Sequence, residues 1–198
     1  MKRKSLLFLL TAAGAILAPL AAIGQISPEK PATPSTEPTY KYEVYAGGGY
    51  TSLNQVNQSR SGLVGVDVGA MRNWGKYFGI NGQYGHYAWT VTSANAGNPF
   101  VDMILVGPEV HALLYGRFGG SFRTWFGTAH VGNVAIQPNY SFAGGLGLGL
   151  DYKLTPKLAL RLAGDDIGSA FTVVPYSSGA STHTRWNAHA TVGLAYKF

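Results

Sequence analysis

From Tyr40 onward, hydrophobic and polar residues alternate along the chain with a period of two. The segment 185–198 shows this best, because its even positions are all apolar, while its odd positions include Arg185, Asn187 and His189. A period of two places successive side chains on opposite faces of a β-strand. We therefore predict eight strands, at 41–50, 62–71, 77–89, 103–115, 121–131, 141–154, 158–165 and 185–198.

The connections between these segments alternate in length. The short connections carry turn residues and lie at 73–76, 116–120 and 155–157. The long connections are rich in Ser, Asn, Thr, Gly and Pro and lie at 51–61, 90–102, 132–140 and 166–184. Short periplasmic turns and longer external loops are typical of barrels in bacterial outer membranes. The pattern predicts an all-β fold, an eight-stranded antiparallel up-and-down transmembrane β-barrel.

Charged residues fall on one face of the predicted strands. The even positions of the eight segments contain no Asp, Glu, Lys or Arg. The odd positions contain eleven charged residues: Lys41, Glu43, Asp67, Glu109, Arg123, Asp151, Lys153, Arg161, Asp165, Arg185 and Lys197. A soluble ligand-binding barrel of the lipocalin type needs a polar exterior, so this pattern argues against one. We predict that the even positions face lipid and that the odd positions fill the interior.

The inward charges define the first candidate site. An eight-stranded barrel is just wide enough to be filled by side chains, and an unpaired charge in such an interior is costly. We therefore expect a hydrogen-bonded structural network that plugs the barrel, with a narrow ion-conducting pore as the alternative. Its predicted members are Glu43, Asp67, Glu109, Arg123, Asp151, Arg161 and Arg185. Small residues at 145, 147 and 149 leave room for long charged side chains.

The first 24 residues have the pattern of a secretory signal peptide, with a basic start at 2–4 and an apolar run at 6–20. The following segment, 25–39, is predicted to be a proline-rich periplasmic linker, which leaves 40–198 for the barrel domain. The chain of 198 residues carries a net charge of +6, and loss of the three basic signal residues leaves +3. This small charge does not indicate nucleic-acid binding. The absence of cysteine excludes disulfides and thiolate metal sites.

Candidate catalytic chemistry is sparse. No histidine has the spacing of a metal motif such as HExxH, and the glycine runs lack a phosphate-binding pattern, so we expect no metal and no cofactor. Asp165 and Asp166 close the seventh segment at its long-loop end, with His183 in that loop, and could activate water, but solvation of the loop is the favoured explanation. His130 with Ser141 or Thr128 could form a lipid-facing hydrolytic pair, but no motif supports it. A small enzyme acting on envelope lipid or peptide remains the alternative function.

The eight-segment alternation, the signal sequence and the C-terminal Tyr196-Lys197-Phe198 resemble the small outer-membrane barrels of the OmpA and OmpX type. The stretches 74–79 and 105–108 are similar to outer membrane protein beta-barrel domain proteins of Gram-negative bacteria. This resemblance implies a location in the cell outer membrane and contact with outer-membrane lipid and lipopolysaccharide. It also implies that the barrel assembly machinery recognises Tyr196 and Phe198 during biogenesis.

Together these patterns predict a non-enzymatic, porin-like outer-membrane protein with a structural envelope role and no catalytic residues. The long loops are the least constrained part of the chain, so we expect any surface contact or adhesion to an unidentified ligand to occur through them. The candidate contact residues are Trp89, Phe100, Phe171 and Tyr176.

Overall fold

A computed structural model describes residues 40–54, 60–92, 99–132, 140–169 and 185–198. These residues form eight antiparallel strands that close into a single barrel in sequence order. The strands are β1 (Tyr42–Asn54), β2 (Arg60–Trp74), β3 (Phe78–Thr92), β4 (Phe100–Tyr115), β5 (Phe118–Gly132), β6 (Tyr140–Lys153), β7 (Leu158–Ser169) and β8 (Arg185–Lys197). Within the described ranges, no helix is long and apolar enough to cross a membrane. The predicted signal peptide and linker lie outside these ranges and stay predictions.

The predicted fold class, an eight-stranded antiparallel barrel, is confirmed. Its stagger follows from the register of paired residues. Following the paired residues from Thr51 of β1 once around the barrel, through β8 and each other strand in turn, leads to Lys41, which immediately precedes β1. The path therefore ends ten residues before the position where it began. The ratio of this offset, ten residues of about 3.3 Å, to the distance across eight strands spaced about 4.8 Å apart is the tangent of the strand tilt. The strands are therefore tilted by about 41° from the barrel axis. Each residue therefore advances about 2.5 Å along the barrel axis.

The strands extend further than the predicted segments at several ends. Four of the predicted segment ends, at 62, 71, 103 and 165, stop short of a charge at an even position, but the backbone pairing continues past those charges. Four charged residues therefore lie at even strand positions: Arg60, Arg72, Asp102 and Asp166. The face that the sequence predicted to be free of charge carries charges near its upper and lower edges.

A break in the alternation occurs near the end of β3. The register between β2 and β3 shifts between Val64 and Gly65, which leaves Ala88 as an extra residue in β3, and shifts again between Gly62 and Leu63, which leaves Val91 as a second one. A bulge of this kind reverses which face the following residues occupy. Trp89 therefore faces outward, with 62% of its surface exposed, although its odd number predicts an inward position.

The outer surface is apolar and carries two bands of aromatic side chains. The band near the short turns contains Tyr42, Trp74, Phe78, Phe118, Tyr196 and Phe198. The band near the long connections contains Trp89, Tyr140, Phe142 and Trp186. Along β8 the ten steps from Trp186 to Tyr196 span about 25 Å of the axis, which is the height of the apolar band on transmembrane barrels. We call these the lower and the upper aromatic band.

Candidate functional site in the barrel interior

The interior near the short turns holds a cluster of four charged side chains, which we call the lower cluster. Arg161 lies at its centre and donates two hydrogen bonds to Asp151, from Nε at 2.7 Å and from Nη2 at 2.8 Å. The Nη1 atom of Arg161 lies 2.6 Å from Oε1 of Glu43. Lys197 Nζ lies 3.4 Å from Glu43 and 3.7 Å from Asp151. The charges of the two cations and the two carboxylates therefore cancel, with Arg161 and Glu43 buried and Asp151 and Lys197 half-buried.

A second group of side chains, the central cluster, lies about midway along the barrel. Arg123 forms a bidentate pair with Asp165, with both N···O distances at 2.8 Å. The Nε1 atom of Trp125 donates to the same carboxylate at 2.8 Å, and His189 Nδ1 lies 3.1 Å from its other oxygen. Asp165 therefore has partners on both oxygens, as a buried carboxylate requires.

A second carboxylate of the central cluster, Asp67, depends on neutral donors. Tyr87 donates to Asp67 Oδ2 at 2.5 Å, and Gln83 Nε2 donates to Oδ1 at 2.7 Å. The hydroxyl of Tyr87 also contacts Nε2 of His189. His189 therefore connects the carboxylates of Asp67 and Asp165 through its two ring nitrogens. The remaining buried carboxylate, Glu109, accepts a hydrogen bond from Asn81 at 2.8 Å.

Space for the Arg123–Asp165 pair comes from a glycine. Gly147 is the cross-strand neighbour of Arg123 on one side and of Asp165 on the other. A Cβ atom at Gly147 would lie 1.8 Å from Oδ1 of Asp165 and 3.0 Å from Nε of Arg123. The pair can cross β6 only because position 147 has no side chain.

An apolar layer fills the interior toward the long connections. Its buried side chains include Leu53, Leu63, Val101, Met103, Leu105, Val131 and Ile167. A cavity of about 10 Å³ lies in this layer, between Leu53, Met103 and Asn187, among other residues. That volume is enough for about one water molecule. The described interior is thus packed with paired charges below and apolar side chains above.

The structure brings together some of the predicted network and extends it. Glu43, Asp151 and Arg161 share the lower cluster, whereas Arg123 and Asp67 belong to the central cluster and Glu109 pairs with an amide. The side chain of Arg185 lies outside the described residues. The sequence analysis did not include Tyr87, Trp125 and Gln83 in the interior network, although their odd positions predict that their side chains point inward.

Asp165 and Asp166 do not form the carboxylate pair considered from the sequence. Asp166, at the start of the predicted loop 166–184, lies in β7 together with Asp165, and successive strand residues point to opposite faces. Asp165 is buried inside the barrel, whereas Asp166 is exposed on the outer surface. His183 lies outside the described residues. Among the residues that the structure describes, no group of three His, Asp or Glu side chains is placed to hold a metal ion.

A polar cluster on the outer surface, at the upper aromatic band, surrounds Asp102. Tyr84 donates to Asp102 at 2.8 Å, His86 Nδ1 lies 2.6 Å from the same oxygen, and His130 Nδ1 lies 3.7 Å from the other. The ring of His130 also stacks on Tyr140, with centroids 4.4 Å apart. His130 thus lies with Asp102 and Tyr140, while Ser141 and Thr128 each donate to a backbone carbonyl.

The predicted loop contacts divide into two groups. Trp89 lies in β3, within its predicted segment, whereas Phe100 lies in β4 rather than in a loop, because pairing begins before the predicted segment 103–115. Trp89 is exposed and Phe100 is half-buried. Phe171 and Tyr176 lie outside the described residues.

The C-terminal residues complete the closure of the barrel. The backbones of Phe198 and Tyr42 exchange two hydrogen bonds, at 2.9 and 3.0 Å. The Phe198 ring stacks on Tyr42 at 5.9 Å and on Tyr196 at 6.2 Å. The two predicted assembly-signal residues therefore lie at the seam between the first and last strands.

A closed antiparallel barrel with an apolar exterior, two aromatic bands and a polar interior defines the class of small transmembrane β-barrels. Solved structures of bacterial outer-membrane barrels share this fold. The neisserial surface protein A aligns over 80% of this chain and 97% of its own, with a TM-score of 0.60 and 13% identity. OprG from Pseudomonas aeruginosa aligns over 82% and 98%, with a TM-score of 0.54 and 8% identity.

Ail, the attachment invasion locus protein of Yersinia pestis, aligns over 81% of this chain and all of its own, with a TM-score of 0.51 and 11% identity. No protein-family model matches the chain, and no curated protein matches it. At these identities the likeness establishes the fold.

Proposed function

We propose that the chain is a non-enzymatic protein of the bacterial outer membrane, similar to the OmpA and OmpX type, with a closed interior and an envelope role. The observation that carries this proposal is the inverted polarity of the barrel. Charged side chains are buried and paired inside, while aliphatic and aromatic side chains cover the outside. Water would favour the opposite arrangement, whereas a bilayer favours this one.

The filled interior supports a structural role over conduction. The lower cluster, the central cluster and the apolar layer occupy successive levels of the barrel, and the cavity near Leu53 holds about one water. An ion crossing this interior would have to displace paired charges such as Arg123 and Asp165. We expect purified protein in planar bilayers to give no stable channels. Steady unitary currents would instead favour the pore.

Membrane location has a direct test. A folded outer-membrane barrel resists unfolding by detergent, so its unboiled form should migrate differently from its boiled form on a detergent gel. The protein should also partition with outer membranes, in contact with lipopolysaccharide, after processing of its signal peptide and delivery by the barrel assembly machinery. A periplasmic protein without a gel shift would contradict both the location and the proposed function.

We assign the proposed surface contact to the rim of the barrel at the end where the long connections lie. Trp89 and Tyr140 expose large rings at this rim, and the comparison protein Ail is described as an attachment protein. We propose that the rim and the segments beyond it contact a surface ligand. The test is adhesion of whole cells to a matrix-coated surface after replacing 170–184 with a short Gly-Ser linker. Phe122→Ala, in the barrel wall, is the control. Unchanged adhesion of the loop variant would count against this role.

A further inference from the structure

The outer wall has a groove where two glycines lie side by side between two aromatic rings. Gly144 of β6 pairs with Gly168 of β7, Phe126 of β5 is the other neighbour of Gly144, and Trp186 of β8 is the other neighbour of Gly168. All four positions are even and belong to the outer face. Because the two central positions have no side chain, Phe126 and Trp186 form the walls and the glycines form the floor.

The groove is large enough for part of a small molecule. It is open to the outer surface and has a volume of about 440 Å³, within the range of small-molecule sites in proteins. Phe142 and Trp186 mark its upper end at the upper aromatic band, and Leu146 lines it four residues further along β6. Four residues correspond to about 10 Å along the barrel axis. The groove therefore runs from the membrane interface into the apolar band.

One carboxylate lies beside the groove. Asp166 is the cross-strand neighbour of Leu146, and it precedes Gly168 by two residues on the same face of β7. Its side chain is exposed on the apolar wall, about 5 Å deeper than Gly168. Among the described residues, no hydrogen bond or ion pair engages this carboxylate, and the only charge acting on it is that of Arg60. An ionisable residue in such a position indicates a functional site whose partner supplies the missing contact.

We propose that the groove holds one acyl chain of a membrane lipid and that Asp166 accepts a hydrogen bond from a hydroxyl group on the upper part of that chain. The inference rests on the proposed membrane location. The groove opens onto the lipid-facing wall, so a hydrocarbon chain is the molecule that meets its apolar lining. A carboxylate can only accept hydrogen bonds, and a plain acyl chain has no donor. The ligand class is therefore a lipid with an acyl chain hydroxylated near its headgroup, for which a 3-hydroxyacyl chain serves as the probe.

Native mass spectrometry of the full-length protein, purified from outer membranes in mild detergent, tests this inference. Two probe lipids that differ by one hydroxyl are compared: a lysophosphatidylethanolamine with a 3-hydroxytetradecanoyl chain, and the same lipid with a tetradecanoyl chain. We expect the protein to bind the hydroxylated lipid about tenfold more tightly, as for a hydrogen bond to a charged acceptor. Asp166→Ala should abolish this preference and keep binding of the plain lipid.

Variants of the groove wall supply the second arm. Phe126→Ala should weaken binding of both lipids by about tenfold, because it removes one wall of the groove. Phe122→Ala, on the same strand and face, and Asp102→Ala, another outward carboxylate, are matched controls that should leave binding unchanged. Absence of a preference in the unsubstituted protein, or a preference that survives Asp166→Ala, would overturn the inference. The inference would also be overturned if the unsubstituted protein formed a dimer without bound lipid and Phe126→Ala abolished that dimer, because a second copy of the chain would then occupy the groove.

The same samples separate this inference from the proposed function. All variants should show the heat-dependent gel shift and should partition with outer membranes. If the unsubstituted protein does neither, the proposed function itself fails. If it does both but binds the two lipids equally, only the lipid-binding inference fails.

Discussion

Arg161 offers the sharpest test of the packed interior. Its side chain is 2% exposed and forms ion pairs with two carboxylates, Asp151 at 2.7 Å and Glu43 at 2.6 Å. Replacing it by methionine keeps much of the side-chain volume and removes the charge. Asp151 and Glu43 would then share Lys197 as their nearest cation, at 3.7 and 3.4 Å.

The expected cost follows from these distances. At an effective dielectric constant of about 20, each close contact of Arg161 contributes about 6 kcal/mol of gross Coulomb attraction. Most of this attraction offsets the desolvation of the buried groups, and removal of one partner from a buried pair costs about 3–5 kcal/mol net. Because Lys197 compensates part of the loss, we expect Arg161→Met to lower the free energy of unfolding by about 3 kcal/mol.

Urea unfolding in lipid vesicles, followed by tryptophan fluorescence and by gel migration, measures this loss. Arg72→Met is the matched control, because the guanidinium of Arg72 lies on the outer face, 5.2 Å from the Trp74 ring, and contributes about 0.5–1 kcal/mol. In the double variant Arg161→Met with Asp151→Asn, Glu43 and Lys197 balance each other. This variant should be more stable than Arg161→Met alone by about 1–2 kcal/mol. A loss below about 1 kcal/mol for Arg161→Met, or no recovery in the double variant, would refute the reasoning.

Three further predictions concern other parts of the barrel. Gly147→Ala should lower the free energy of unfolding by about 1–3 kcal/mol in the same assay, because the added Cβ would lie 1.8 Å from Oδ1 of Asp165. Gly48→Ala is the control and should be close to neutral, because the nearest atom to its added Cβ is 3.8 Å away. Equal effects of the two substitutions would contradict the packing at Gly147. A double-mutant cycle of His86→Ala and Asp102→Ala should give a coupling energy of up to about 1 kcal/mol for this half-exposed pair, and additive effects would show that the 2.6 Å contact contributes nothing. Phe198→Ala should reduce assembly into outer membranes in cells while the purified chain still refolds in detergent, and normal assembly would argue against Phe198 as part of the assembly signal.

The number and order of the strands could be predicted from the sequence because the membrane imposes one rule on every strand. Each outward position must be apolar over the height of the bilayer, so the alternation repeats eight times. The strand ends were less predictable, since this rule stops at the membrane interface while hydrogen bonding continues. Asp102 lies in that zone, within a strand but beyond the segment that the pattern marked.

The partners within the interior could not be predicted from alternation. Parity shows that Arg123 and Asp165 point inward, but the register decides that they meet across Gly147. The bulge at Ala88 likewise leaves no clear sequence signal, and it moves Trp89 to the outer face. The groove between Phe126 and Trp186 depends on the same kind of information, because four residues distant in sequence become neighbours only through pairing.

The alternation of lipid-facing and inward side chains is the central claim, and the absence of cysteine makes it directly measurable. Single cysteines introduced in turn at 190–196 of β8 can carry a spin label in protein reconstituted into lipid vesicles. Accessibility to oxygen dissolved in the bilayer should peak at 190, 192, 194 and 196 and fall at the odd positions, with a period of two. Peaks at the odd positions, or access of a water-soluble nickel chelate to the even ones, would contradict a barrel whose even-numbered face lies against lipid.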